Sequence, residues 1–128
     1  MLNDVTLRQG SKNQTMSKEA VPAQLVIYQT ADGKRPYEEW LSSLDQITQA
    51  RIDSKMTGIV AKGGGKIRNL EKSLFEVKFD FGPGYRVYCG RMGSTLIIIL
   101  CGGDKSTQAR KDIKLAEEYW DDYKRRIS

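Results

Sequence analysis

The stretch Leu96–Gln108 reads LIIILCGGDKSTQ. Five aliphatic residues run into Cys101, then Gly102 and Gly103, then Asp104, Lys105 and three small polar residues. A run with no polar face predicts a central strand covered on both sides. Its abrupt end predicts a tight turn that presents Lys105 at a fixed place, because glycine lets the backbone turn sharply and approach a ligand closely. The apolar run is far shorter than the roughly 20 residues that a membrane-crossing helix needs.

Working upstream, two segments alternate. SLFEVKFDF (73–81) puts Phe75, Val77, Phe79 and Phe81 on one face and Glu76, Lys78 and Asp80 on the other. YRVYCGR (85–91) opposes Tyr85, Val87 and Cys89 to Arg86 and Tyr88. A three-residue Gly82-Pro83-Gly84 loop pairs Phe81 with Tyr85 and keeps both faces uniform, whereas a two-residue loop mixes them. With that loop, Gly84 is expected at positive φ.

Further upstream, AQLVIYQT (23–30) reads as a strand and ADGKRP as a turn, with Pro36 suited to the first position of a helix. PYEEWLSSL carries Tyr37, Trp40, Leu41 and Leu44 at helical spacing. Asp45 can cap a second helix, about 46–62, with Ile47, Ile52, Met56, Ile59 and Val60 as its apolar side. KGGGK (62–66) ends that helix. It is not a phosphate loop, since Val60 and Ile67 stand where that motif requires Gly and Ser or Thr. Downstream, about 106–125 forms a last helix packing through Ile113, Ala116, Tyr119, Trp120 and Tyr123. Lys124, Arg125 and Arg126 suit its C-terminal end.

The expected order is β-α-α-β-β-β-α, an α+β domain over 23–128. It has a four-stranded mixed sheet, a helical hairpin on one face and a C-terminal helix. Residues 1–22 are polar and aperiodic and read as a tail. The length of 128 residues fits one domain.

Composition narrows the chemistry. Lys plus Arg number 21 against 16 acidic residues, a net charge of +5, which favours an anionic partner only weakly. With no histidine and two cysteines, a structural zinc site is not expected, and Cys89 and Cys101 read as buried free thiols. No cofactor or metal is implied, nor any membrane partner. The N-terminus has no apolar signal core, and a cytoplasmic location is expected.

The strand arithmetic places Glu76, Lys78, Asp80, Arg86 and Tyr88 on one sheet face, with Arg68 before the hairpin and Lys105 beyond the last strand. An Arg fork suits a phosphate and can stabilise charge on a transferring phosphoryl group. Without histidine, proton transfer would fall to Lys, Tyr, Asp or Glu. The competing reading of the same residues is a solvated sheet face with cross-strand ion pairs such as Asp80 with Arg86.

GPGYRVY, LIIILCGGDKSTQ and KDIKLAEEYW, in this order, resemble the RelE/ParE toxin superfamily, in particular its phage-derived and addiction-module killer proteins related to HigB. The similarity spans about residues 24–125. It implies a compact microbial RNase-like fold and the toxin of a toxin–antitoxin pair. It implies a cognate antitoxin, often a helix-turn-helix protein, and a toxin–antitoxin hetero-oligomer. In RelE-like members the toxin enters the ribosomal A site and cleaves mRNA by 2′-hydroxyl attack, leaving a cyclic phosphate. The resemblance implies catalytic roles for Lys78, Arg86 and Lys105, and RNA or phosphate contacts for Arg68, Tyr88 and Gln108. The chain departs from the pattern in lacking a tyrosine in ARKDIK, in having Glu76 where a second strand lysine is common, and in having no histidine. The identity of any general base is therefore open. Two other functions fit the superfamily: a ParE-like inhibitor of DNA gyrase, and a degenerate module that only binds its antitoxin.

Overall fold

A computed structural model describes residues 24–62, 66–106 and 109–127. The elements are β1 (Gln24–Ile27), α1 (Pro36–Ser42), α2 (Gln46–Lys62), β2 (Lys66–Asn69), β3 (Leu74–Lys78), β4 (Arg86–Met92), β5 (Leu96–Gly103) and α3 (Ala109–Ile127). The expected 1–22 tail and most of the KGGGK stop lie outside the described residues. The fold is α+β, and its sheet is mixed and five-stranded in the order β1-β5-β4-β3-β2. β1 runs parallel to β5, while the other neighbours are antiparallel.

The expectation of four strands is thus corrected by β2. All four of its residues are exposed, so it carries no apolar alternation by which a strand is recognised. Backbone pairing with β3 holds it, Ile67 opposite Val77 and Arg68 opposite Glu76. Between these strands, Lys72 and Ser73 sit at φ of 62° and 66°. The Trp120 indole N–H donates to the Lys72 carbonyl at 2.7 Å and pins this turn to α3.

β5 is covered on both sides, as its sequence requires. Ile97 and Ile99 join the core under α1 and α2, with Tyr37, Ile52, Met56 and Val87. Ile98, Leu100 and Cys101 join a second core under α3, with Tyr28, Ala116 and Trp120. A register shift between Tyr88 and Cys89 leaves Leu100 as an extra residue in β5. Such a bulge explains why Leu100 and Cys101 share a side despite the two-residue period of a strand.

Each core seats a tryptophan on a glycine. A Cβ on Gly102 would lie 2.3–2.5 Å from the Trp40 ring, and one on Gly90 would lie 2.5–2.6 Å from the Trp120 ring. Gly102 is therefore explained by packing. Asp45 caps α2 as expected, accepting from the Thr48 N–H at 2.7 Å. Ile47 does not join the apolar side of that helix and is 77% exposed. It precedes Ile52 by five positions, and at 3.6 residues per turn that turns it about 140° away.

The hairpin loop is longer than expected. Lys78 pairs with Arg86, and the Phe79 N–H donates to the Tyr85 carbonyl at 3.0 Å. Phe79, not Phe81, therefore lies opposite Tyr85. The two registers differ by two residues, so the parity argument survives and each face stays uniform. Gly84 sits at φ +80°, and Gly82 also has positive φ, at +60°.

Candidate nucleic-acid interface

Strand register assembles the site row by row. Lys66, Lys78, Arg86 and Gly103 are successive partners across β2, β3, β4 and β5. One step along the strands, on the same face, Arg68, Glu76, Tyr88 and Cys101 form the next row. Beyond that, Trp120 of α3 lies over Gly90. The face is therefore covered at one end and open at the other. The expectation that all of it is half-polar and accessible is corrected: Glu76 and Tyr88 are fully buried.

The open end is a cleft of about 430 Å³, lined by Lys66, Lys78, Asp80, Tyr85, Arg86 and Lys105 together with Phe79, Gly82 and Gly84. The three expected catalytic residues Lys78, Arg86 and Lys105 thus meet in one place, although they come from two strands and a turn. Lys105 arrives there through the hairpin loop. Its backbone N–H donates to the Pro83 carbonyl at 3.2 Å. Its aliphatic stem crosses Gly84 so closely that a Cβ there would lie 2.8–3.0 Å from Cγ, Cδ and Cε. The turn before it is set by Asp104, whose Oδ1 accepts from the Ser106 N–H at 2.7 Å.

The other expected contacts are not all in the cleft. Arg68 is in the second row and donates from Nη2 to Glu76 Oε1 at 3.1 Å. Its place is explained by the buried carboxylate. Tyr88 is sealed beneath α3, which removes it as a direct RNA contact. Burial first, then the negative charges of Glu76 and Asp112, push its hydroxyl up to about 12, against an opposing pull from Arg86. It stays a protonated phenol at neutral pH. Gln108 lies outside the described residues. Lys66 was missed from the sequence because β2 itself was missed. The available signal was KIRN, where Lys66 and Arg68 stand two apart on one side of an extended segment.

Two carboxylates border the cations. Glu76 Oε2 is 3.9 Å from Lys78 Nζ, so Lys78 spans a buried anion and an open cleft. Asp80 does not pair with Arg86, the ion pair named in the competing reading of this face. It accepts from Lys66 Nζ at 2.8 Å, and this hydrogen bond holds its carboxyl below the usual range. Both cysteines are buried free thiols. Burial raises Cys101 to about 12 and Cys89 further, so neither is a thiolate nucleophile at neutral pH. Among the described residues no group of three or more His, Cys, Asp or Glu side chains could hold a metal. No helix among them is long and apolar enough to cross a membrane.

Fold and cleft together define a small α+β protein with a cleft lined by lysine and arginine side chains at one open end of its sheet. The sequence matches no family model. It is 40% identical over 82 residues to an uncharacterized protein of Haemophilus influenzae, an alignment covering 63% of this chain and 82% of that protein. The chain belongs to the same family as that protein.

Proposed function

We propose that the chain is the toxin of a type II toxin–antitoxin pair and acts as a metal-independent endoribonuclease on ribosome-bound mRNA. The observation that carries this reading is the convergence of Lys78, Arg86 and Lys105 on one cleft. The resemblance of GPGYRVY and LIIILCGGDKSTQ to RelE-like toxins supplies the reaction. An RNA 2′-hydroxyl already lies beside its own phosphate, so catalysis consists largely of aligning the two and stabilising charge. The 2′-oxygen forms a bond to phosphorus and the P–O5′ bond breaks. The products are a 2′,3′-cyclic phosphate and a 5′-hydroxyl end. The 2′-hydroxyl proton leaves to a base or to solvent, and the 5′-oxygen takes one up.

Arg86 is suited to gripping two phosphate oxygens with its planar fork. Lys78 and Lys105 approach from the strand beside it and from the turn beyond it, and oppose the negative charge that builds on the phosphoryl oxygens. Asp80 is a poor base, since Lys66 favours its ionised form. The fold supplies positioned cations and no histidine, which makes electrostatic stabilisation the main catalytic contribution.

Inducible expression with separate readouts of translation and of plasmid supercoiling tests the reading. Arrest of translation with mRNA cut inside codons, relieved by Arg86→Ala, is the expected result. Unimpaired translation together with lost gyrase supercoiling would move the protein to the ParE-like class. Absence of both effects would leave an antitoxin-binding module.

A further inference from the structure

We propose that Lys66, held in place by Asp80, forms a second phosphate subsite beside the scissile one, so that the cleft grips single-stranded RNA by two neighbouring phosphates. This rests on the ribonuclease reading above.

Lys66 begins the edge strand β2 and pairs in register with Lys78, which pairs with Arg86. Adjacent strands lie about 4.8 Å apart. The three cations therefore form a row from the sheet interior to its edge, one per strand. β2 buries none of its residues, so Lys66 is not there to complete a core. Its side chain instead lines the cleft, and its ammonium pairs with Asp80 at 2.8 Å, with the two side chains 65% and 63% exposed. Exposed pairs of this kind add little stability. What the pair does is restrain a flexible four-carbon arm and mask its charge until an anion arrives. A phosphate entering this subsite takes over the Lys66 ammonium and meets the repulsion of Asp80. The carboxylate thus weakens binding while it positions the lysine.

The test is equilibrium binding of a short 2′-O-methyl RNA oligonucleotide, which lacks the attacking hydroxyl, by fluorescence anisotropy over a range of salt. A 2′-O-methyl dinucleotide with a single phosphate is measured in parallel. For the oligonucleotide, Lys66→Ala should reduce the slope of log affinity against log salt by about 0.7, the value for one phosphate contact on a single strand. The dinucleotide should bind the variant as it binds wild type. Lys66→Arg should keep the slope. Asp80→Asn should tighten oligonucleotide binding several-fold, and that gain should vanish in the Lys66→Ala, Asp80→Asn double variant. Both positions are exposed, and an unchanged melting midpoint checks that the variants fold. If Lys66→Ala keeps the wild-type slope while Arg86→Ala loses affinity, the subsite is wrong and the ribonuclease reading stands. If neither variant differs from wild type, or wild type binds no oligonucleotide even at low salt, the subsite is refuted. The ribonuclease reading falls separately, if wild type also cuts no mRNA on ribosomes.

Discussion

Gly84→Ala separates the placement of Lys105 from the stability of the fold. Gly84 has φ +80°, so a side chain there carries a backbone penalty of about 1–2 kcal/mol. The new Cβ also lies 2.8 Å from Lys105 Cε and 3.0 Å from Cδ and Cγ. A lysine stem is flexible, and this clash is relieved by swinging Lys105 off the loop. The relief costs little stability but takes the ammonium away from the position it holds beside Arg86. Misplacing one preorganised charge typically costs roughly 10²–10³ in rate. The expected result is a melting midpoint lowered by several degrees and a single-turnover cleavage rate close to that of Lys105→Ala. Gly84→Asn provides the control, because Asn tolerates left-handed backbone better yet brings the same Cβ. It should recover much of the lost stability and none of the rate. The assay is differential scanning fluorimetry beside mRNA cleavage on programmed ribosomes, well below both midpoints. If Gly84→Ala cuts at the wild-type rate while Lys105→Ala does not, the loop does not position Lys105 and the reasoning fails.

Gly90→Ala and Gly102→Ala should each destabilise by about 1–3 kcal/mol, because a methyl meets a tryptophan ring in a filled core; chemical denaturation measures this, and unchanged midpoints would contradict the packing. Arg68→Ala should cost about 1–3 kcal/mol by removing the 3.1 Å hydrogen bond to the buried Glu76 carboxylate, and equilibrium unfolding that matches wild type would show that Glu76 is satisfied without it. Asp122 has its pKa lowered by hydrogen bonds from Arg126 and then Tyr28, so its contribution is present above its unfolded value near 3.9 and is lost as pH falls through the lower folded value. Asp122→Asn should therefore narrow its stability gap from wild type as pH drops below about 4, and a gap constant from pH 7 to pH 2 would refute that assignment.

The sequence revealed the elements whose side chains carry the core. Leu96–Cys101 has no polar face and is buried on both sides. Trp40 and Trp120, at helical spacing with their neighbours, became the anchors of opposite faces. Hairpin parity correctly kept Phe79, Tyr85 and Val87 together, but parity cannot distinguish registers two residues apart, and the loop came out too short. β2 was hard to read because it is held by a backbone ladder at an edge position, and the two-residue spacing of Lys66 and Arg68 is its one sequence signal. Missing it hid Lys66 and left Arg68 without its true partner. Tyr88 and Glu76 were read as accessible because strand alternation says which face a residue takes and not whether a distant helix covers it. That Lys78, Arg86 and Lys105 gather at one end of the sheet was legible, because motif and strand register both point there.

The central claim is that the cations of this cleft act on a scissile phosphate. It is tested most directly by single-turnover cleavage of mRNA on programmed ribosomes, with ribosome binding measured on the same preparations. Wild type should cut, and Arg86→Ala should slow cutting by roughly 10²–10³ with binding little changed. Arg86→Lys should also be impaired, because an ammonium lacks the planar fork. Cutting by Arg86→Ala at the wild-type rate, or no cutting by wild type, would contradict the account.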